Sequence, residues 1–159
     1  MIFFRETSIG KIGIAEKNNC ISHLYLSNDN VPQDMELGET PLIRQAFEQL
    51  ELYLNGKLKE FDLPLLPEGT PFMKSVWQKL LDVPYGQTAS YKDIAIAVGN
   101  PKGARAVGLA NNRNPIAIFI PCHRIIGANG DLVGYGGGLD MKIKLLSLEG
   151  YQGKGMNSR

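Results

Sequence analysis

Ser90-Tyr91-Lys92-Asp93-Ile94-Ala95-Ile96-Ala97-Val98-Gly99-Asn100-Pro101-Lys102-Gly103-Ala104-Arg105-Ala106-Val107-Gly108-Leu109-Ala110-Asn111-Asn112 reads as two helices joined by a tight turn. Ser90 followed by Asp93 is a capping-box pattern opening the first helix, which runs through Ile94, Ala95 and Val98 and closes at Gly99. Asn100-Pro101-Lys102-Gly103 turns the chain into a second helix, Ala104 to about Asn112, so the whole is a helix-turn-helix. The second helix is lean: Ala104, Ala106, Gly108 and Ala110 carry little bulk, and Arg105 is its long projecting side chain. Such a helix can approach another backbone closely, either a neighbouring helix or a nucleic-acid strand. Between Tyr85 and Asn129 the chain has five Lys/Arg (Lys92, Lys102, Arg105, Arg113, Arg124) against one acid, Asp93, which favours nucleic acid.

Upstream, Thr70-Pro71 supplies an N-cap and N1 proline for another helix, with Phe72, Val76 and Leu80 at i+4 steps and a stop before Pro84. The proline-bearing stretch Leu63-Pro64-Leu65-Leu66-Pro67-Glu68-Gly69-Thr70-Pro71 predicts one domain over residues 1–68 and a second over 69–159. The first opens with β-favouring runs Ile2–Arg5, Lys11–Ala15 and Ile21–Leu26 separated by turn residues, an antiparallel meander. Thr40-Pro41 then starts a helix with Leu42, Ile43, Ala46, Phe47, Leu50, Tyr53 and Leu54 on one face, ended by Asn55-Gly56. Downstream, a last helix is expected from roughly Asp140 to Glu149, with Met141, Leu145 and Leu148 as its stripe and Gly150 as its C′ residue. The tail from Gly153 to Arg159 is expected to be mobile. The fold class is α+β: a small N-terminal α/β domain and a mainly helical, winged-helix-like C-terminal domain.

The 159 residues, 43% of them hydrophobic, suffice for a real core and exclude a disordered or fibrous chain. The net charge of +1 conceals an asymmetry: residues 1–70 hold six Lys/Arg against eleven Asp/Glu, and residues 71–159 hold eleven against five. The halves are thus −5 and +6, so the second half is the one suited to a polyanion. Cys20 and Cys122 lie far apart in unlike contexts, which argues against a disulfide framework and for the reducing cytoplasm. No apolar run reaches bilayer-spanning length and no secretory h-region opens the chain, so no membrane association is expected.

Pro115-Ile116-Ala117-Ile118-Phe119-Ile120-Pro121-Cys122-His123-Arg124-Ile125-Ile126 sets a Cys-His-Arg triplet inside one of the most apolar stretches of the sequence. Burying an imidazole and a guanidinium is costly unless they are hydrogen-bonded to partners. A thiol beside an imidazole suggests a nucleophilic cysteine, since a nearby base or positive charge raises the thiolate fraction. The alternative is a small core hydrophobe beside a satisfied histidine. The loop Gly127–Gly138 holds six glycines in twelve residues, without a phosphate-binding fingerprint.

The segment Ile120–Ile126, together with Tyr91, Arg105, Asn114, Tyr135-Gly136-Gly137-Gly138 and Leu148-Glu149-Gly150, closely resembles the O6-alkylguanine-DNA alkyltransferases, the methylated-DNA–protein-cysteine methyltransferases. The resemblance covers residues 71–151; it implies a ribonuclease-H-like fold for the first domain, which carries no motif. It implies transfer of a methyl or alkyl group from O6-alkylguanine in double-stranded DNA to Cys122, in one self-inactivating turnover with the base flipped out of the stack; O4-alkylthymine is a second candidate substrate. His123 would be the base, acting through water, and Glu149 would orient it, as in a catalytic triad. Tyr91 would donate towards the guanine ring. Arg105 would fill the gap in the duplex, while Ala104, Ala106 and Gly108 let the helix enter the minor groove, with Lys102 and Arg113 at the DNA as well. Asn114, Pro121, Arg124, Tyr135, Gly136 and Gly137 would line or support the pocket, Arg124 through structural hydrogen bonds. Ile125 stands where valine is usual, and Gly136 where some relatives carry serine. Cys20-Ile21-Ser22-His23 lacks the further cysteine a zinc site needs, so neither metal nor cofactor is expected, and the protein would act as a monomer.

Two readings of other classes compete. A cysteine hydrolase could use Cys122, His123 and Glu149, but would leave the basic helix-turn-helix unexplained. A non-catalytic helix-turn-helix DNA-binding protein would be indifferent to Cys122→Ser. The related non-enzymatic alkyltransferase-like class, which lacks the acceptor cysteine, is excluded by Cys122.

Overall fold

The computed structural model describes residues 1–135 and 137–156. Two compact units emerge: residues 1–68 with 115–119, and residues 69–114 with 120–159. The first boundary falls in the proline-bearing stretch. The second unit is not one contiguous block as expected, because residues 115–119 return to the first.

In the first unit, β1 (Ile2–Thr7), β2 (Gly10–Lys17) and β3 (Cys20–Tyr25) form an antiparallel sheet in the order β1-β2-β3. Ile2 pairs with Ala15 and Ile14 with Leu24, and a bulge falls between Ala15 and Glu16. Phe4 lies opposite Gly13 and its ring covers the position a Cβ would occupy, so the aromatic shields a bare stretch of backbone. Helix α1 (Pro41–Leu54) is capped by the Thr40 side chain accepting from the Ile43 amide. Ile43, Ala46, Phe47, Leu50 and Tyr53 are its buried face, with Ile12, Ile14 and Ile21 of the sheet also buried.

Residues 115–119 attach to β3 through the Leu24 amide, which donates to the Pro115 carbonyl at 2.9 Å, and a parallel bridge from Leu24 to Ile116. Phe119 stacks edge-on to Phe61 with 4.7 Å between centroids. Apolar burial therefore draws this segment to the first unit. Its return costs strain. The Phe119 amide bonds to the Ala117 carbonyl across Ile118, whose φ is 75°. This is a γ-turn of the unfavoured hand on a β-branched residue.

In the second unit, α2 (Pro71–Leu80) is capped by Thr70 and buries Val76, Trp77 and Leu80. Helix α3 (Tyr91–Ala97) carries a complete capping box: Ser90 accepts from the Asp93 amide and Asp93 from the Ser90 amide. Helix α4 (Ala104–Asn112) follows the turn, and α5 (Leu139–Leu148) has Glu149 as its C-cap, with Gly150 beyond at φ 84°. The buried face of α5 is Lys142, Ile143, Leu145 and Leu146, with Met141 and Leu148 only half-buried. The expected Met141–Leu145–Leu148 stripe is corrected accordingly, because the helix buries a lysine among its apolar residues. β4 (Ala89–Ser90) and β5 (Ile125–Ile126) form a short parallel pair, Ala89 opposite Ile125. Among the described residues no helix is long and apolar enough to cross a membrane.

Trp77 Nε1 donates to the Ala110 carbonyl at 2.9 Å, tying α2 to the end of α4. Trp77→Phe should destabilise the protein by about 1–3 kcal/mol through the lost bond and the vacated ring volume, measurable as a lower urea midpoint with unchanged slope.

Candidate functional site

Cys122 is reached through two consecutive tight turns. After the γ-turn at Ile118, the Cys122 amide bonds to the Ile120 carbonyl at 2.8 Å around Pro121, whose φ of −80° and ψ of 63° are those of an inverse γ-turn. Proline pre-sets that φ, a local reason for its place before the cysteine. Cys122–Arg124 then forms one turn of 3-10 helix, all three residues buried. Asn114 Nδ2 donates to the Ile120 carbonyl (2.9 Å) and Asn111 Nδ2 to the Cys122 carbonyl (3.3 Å), so the end of α4 holds the backbone around Cys122 at two points. Asn111 was not among the expected site residues. Its place on the same face of the lean helix as Val107 could have signalled it, since a buried amide needs partners.

The Glu149 carboxylate organises the polar core. His123 Nε2 donates to Oε2 at 2.8 Å, Arg124 donates through Nε to Oε1 (2.9 Å) and Nη2 to Oε2 (3.0 Å), and the Gly86 amide donates to Oε1 (3.1 Å). Arg124 Nη1 also donates to the Val83 carbonyl at 2.7 Å. Gly86 has φ 78°, and a Cβ there would sit 3.1 Å from the Glu149 carbonyl, so glycine is needed for both conformation and approach. The two-pronged Arg124 contact neutralises the carboxylate before histidine is considered. With Nε2–H given to Glu149, a neutral His123 carries its lone pair on Nδ1, the atom that can take a proton.

Burial, followed by the nearby Arg124 and Lys142 charges, pushes His123 below its ordinary 6.5, against the opposing pull of Glu149. Burial pushes the Cys122 thiol up; hydrogen bonds to Asn114 and Tyr135 and the positive charge of Lys142 pull it back. The resting pair is thus weighted to neutral thiol and neutral imidazole. Tyr91 is raised from its ordinary 10.0 by burial and by negative charge at Cys122. Its hydroxyl donates to the Val133 carbonyl at 3.0 Å. Lys142, also absent from the expected set, is fully buried and donates to the carbonyls of Ile125, Val133 and Gly134. Nothing in the local sequence marks it, because lysine on a helix is ordinarily solvated.

The structure gathers Cys122, His123, Arg124, Glu149, Asn114, Pro121, Tyr135 and Tyr91 in the second unit. Gly137 lies in the turn before α5, half-buried; Gly136 lies outside the described residues. On α4, Arg105 and Ala106 are exposed and Ala104 and Gly108 half-buried, with Lys102 and Arg113 exposed at its two ends. Arg105 is not the helix's sole long projection, since Leu109, one turn on, is 51% exposed. Among the described residues no cluster of three or more His, Cys, Asp or Glu is arranged for a metal.

Because the folded-state pKa of His123 lies below its unfolded value, the unfolded chain binds the extra proton first as pH falls. The corresponding stability is present above pH 6.5 and lost on acidification below it. His123→Gln should flatten the fall in unfolding free energy between about pH 6.5 and 5 by up to about 1.4 kcal/mol per pH unit, measured by urea titration at each pH.

Comparison with known proteins agrees with this geometry. The 6-O-methylguanine DNA methyltransferase DNA-binding domain family matches residues 71–151, and the ribonuclease-like domain family of the same proteins matches residues 3–67. A methylated-DNA–protein-cysteine methyltransferase of Methanosarcina barkeri is 51% identical over 91% of this chain and 93% of its own. The constitutive enzyme of Bacillus subtilis is 47% identical over 91% and 92%. The crystal structure of Mycobacterium tuberculosis OGT in complex with DNA superposes with a TM-score of 0.86 at 43% identity, covering 93% of this chain and 91% of that one. A buried Cys-His-Glu array behind a helix-turn-helix, with both family domains in order along the chain, makes this protein a member of the methylated-DNA–protein-cysteine methyltransferase family.

Proposed function

We propose that the chain repairs DNA by moving an alkyl group from O6 of guanine onto Cys122, once per molecule. The observation that carries this is the buried Cys122 thiol, held at its backbone by Asn114 and Asn111 and followed directly by the His123–Glu149–Arg124 array. A thiolate suits in-line attack on an sp³ carbon, and the thioether it forms has no easy reverse path.

Nδ1 of His123 takes the Cys122 proton through a bridging water, and Glu149 holds the imidazolium so formed. The S–C bond forms as the C–O6 bond breaks, and the electron pair passes into the guanine ring. The Tyr91 hydroxyl, which rests on the Val133 carbonyl, turns to the ring and donates to the developing negative charge. Since O6 lies within the base stack, the nucleotide must rotate out, and Arg105 from α4 fills the gap. The fold shared with a protein crystallised on DNA supports DNA as the partner. The two free thiols, Cys20 and Cys122, fit a reducing, cytoplasmic setting for a monomer.

Incubation with a duplex carrying O6-methylguanine should add one methyl mass, mapped to Cys122 and saturating at one per protein, with none on Cys122→Ser. Turnover of an ester or amide without mass gain would instead identify a hydrolase. A second expectation concerns Gly108. Among the described residues a Cβ there would meet only the Tyr91 ring, at an ordinary 3.7 Å, so none of them demands glycine. Gly108→Ala should raise stability by roughly 0.5–1 kcal/mol through helix propensity, yet weaken binding to duplex DNA in a titration, because the added methyl faces the groove.

A further inference from the structure

Lys142 is fully buried on α5, yet no step above uses it. Its ammonium donates to three backbone carbonyls: Ile125, Val133 at 2.9 Å and Gly134 at 3.2 Å. Three donors meeting three acceptors is the full capacity of a lysine. A methionine would fill the same position without the cost of burying a charge, so the bonds themselves are the reason for the residue.

Each carbonyl belongs to a part of the pocket. Ile125 lies in β5, directly after the 3-10 turn of Cys122, and pairs with Ala89 of β4, which leads through the Ser90 cap into Tyr91. Val133 and Gly134 lead into Tyr135, whose side chain opposes the upward push of burial on the Cys122 thiol. The Val133 carbonyl is shared, because the Tyr91 hydroxyl donates to it too, at 3.0 Å. That hydroxyl is the one transfer requires at the guanine ring. If Tyr91 were the carbonyl's sole donor, turning to the base would strand a polar atom; with Lys142 in place it keeps a partner.

We propose that Lys142 is a positioning residue for alkyl transfer: it holds the Val133 carbonyl so that the Tyr91 hydroxyl can exchange onto the substrate base. This deepens the alkyl-transfer reading and rests on it. The ammonium interacts electrostatically with Cys122 and His123 of the 3-10 turn and meets Tyr91 of α3 at the shared Val133 carbonyl. Burial lowers Lys142 from 10.5 to about 8, opposed by negative charge at Cys122. Above that pH the neutral amine has two donors for three carbonyls.

The test is single-turnover transfer from an O6-methylguanine duplex at saturating DNA, for the wild type, Lys142→Met, Tyr91→Phe and the double variant. Each single substitution should slow transfer by roughly tenfold, and the double should be no slower than the slower single. Effects that multiply, or a folded Lys142→Met protein transferring at the wild-type rate, would overturn the proposal. A merely structural lysine would lower stability without this coupling to Tyr91. If Lys142→Met does not fold, the ratio of wild-type to Tyr91→Phe rates serves, since both proteins carry the same Cys122, His123 and Glu149. That ratio should fall towards one as pH rises through about 8; a ratio constant across this range overturns the proposal. Methyl transfer by the wild type at neutral pH separates failure here from failure of the alkyl-transfer reading.

Discussion

Glu149 accepts four hydrogen bonds, from His123, twice from Arg124 and from the Gly86 amide, and the second unit is organised around that carboxylate. It joins the C-cap of α5 to the 3-10 turn of Cys122 and to the Val83–Gly86 loop, which Arg124 also reaches. Buried ion pairs add little net stability over apolar packing, because desolvation offsets the attraction. What they supply is specificity, since a carboxylate with four donors has few alternative arrangements. Here that specificity sets a protonation state. With Arg124 neutralising Glu149, His123 rests neutral and can act as a base, and Glu149 stands ready for the imidazolium.

The approach to Cys122 is equally constrained. The γ-turn at Ile118 is unfavourable for a β-branched residue, and the burial of Ile116, Ile118 and Phe119 in the first unit offsets it. Beyond Ile120 the chain is fastened to the second unit by Asn114 and Asn111. The helix proposed to enter the DNA groove is therefore the one that holds the backbone of the acceptor. About two turns of α4 separate Arg105 from Asn111, which holds the Cys122 carbonyl.

The helix-turn-helix was legible in sequence because its signals are local: the Ser90–Asp93 box, the Thr70 and Thr40 caps and the glycine stops act over three or four residues. The motif around Cys122 was legible for the same reason. The partners of buried polar groups were not. Arg124 could be expected to make structural bonds, but its two-pronged hold on Glu149 depends on α5 returning beside the 3-10 turn. Nothing local marks Lys142, Asn111 or Leu109, because the burial of the first two and the exposure of the third are set by packing.

The sequence by itself determined where the capped helices start, set a thiol beside an imidazole in an apolar segment, and concentrated the positive charge in the second half. Tertiary structure alone decided that residues 115–119 join the first unit, that Glu149 is shared between Arg124 and His123, and that Lys142 is buried beneath the pocket loop. The physical reason is range. Capping, turn chemistry and periodicity are settled between neighbours along the chain, whereas a buried charge takes its partners from whichever segments packing brings within about 3 Å.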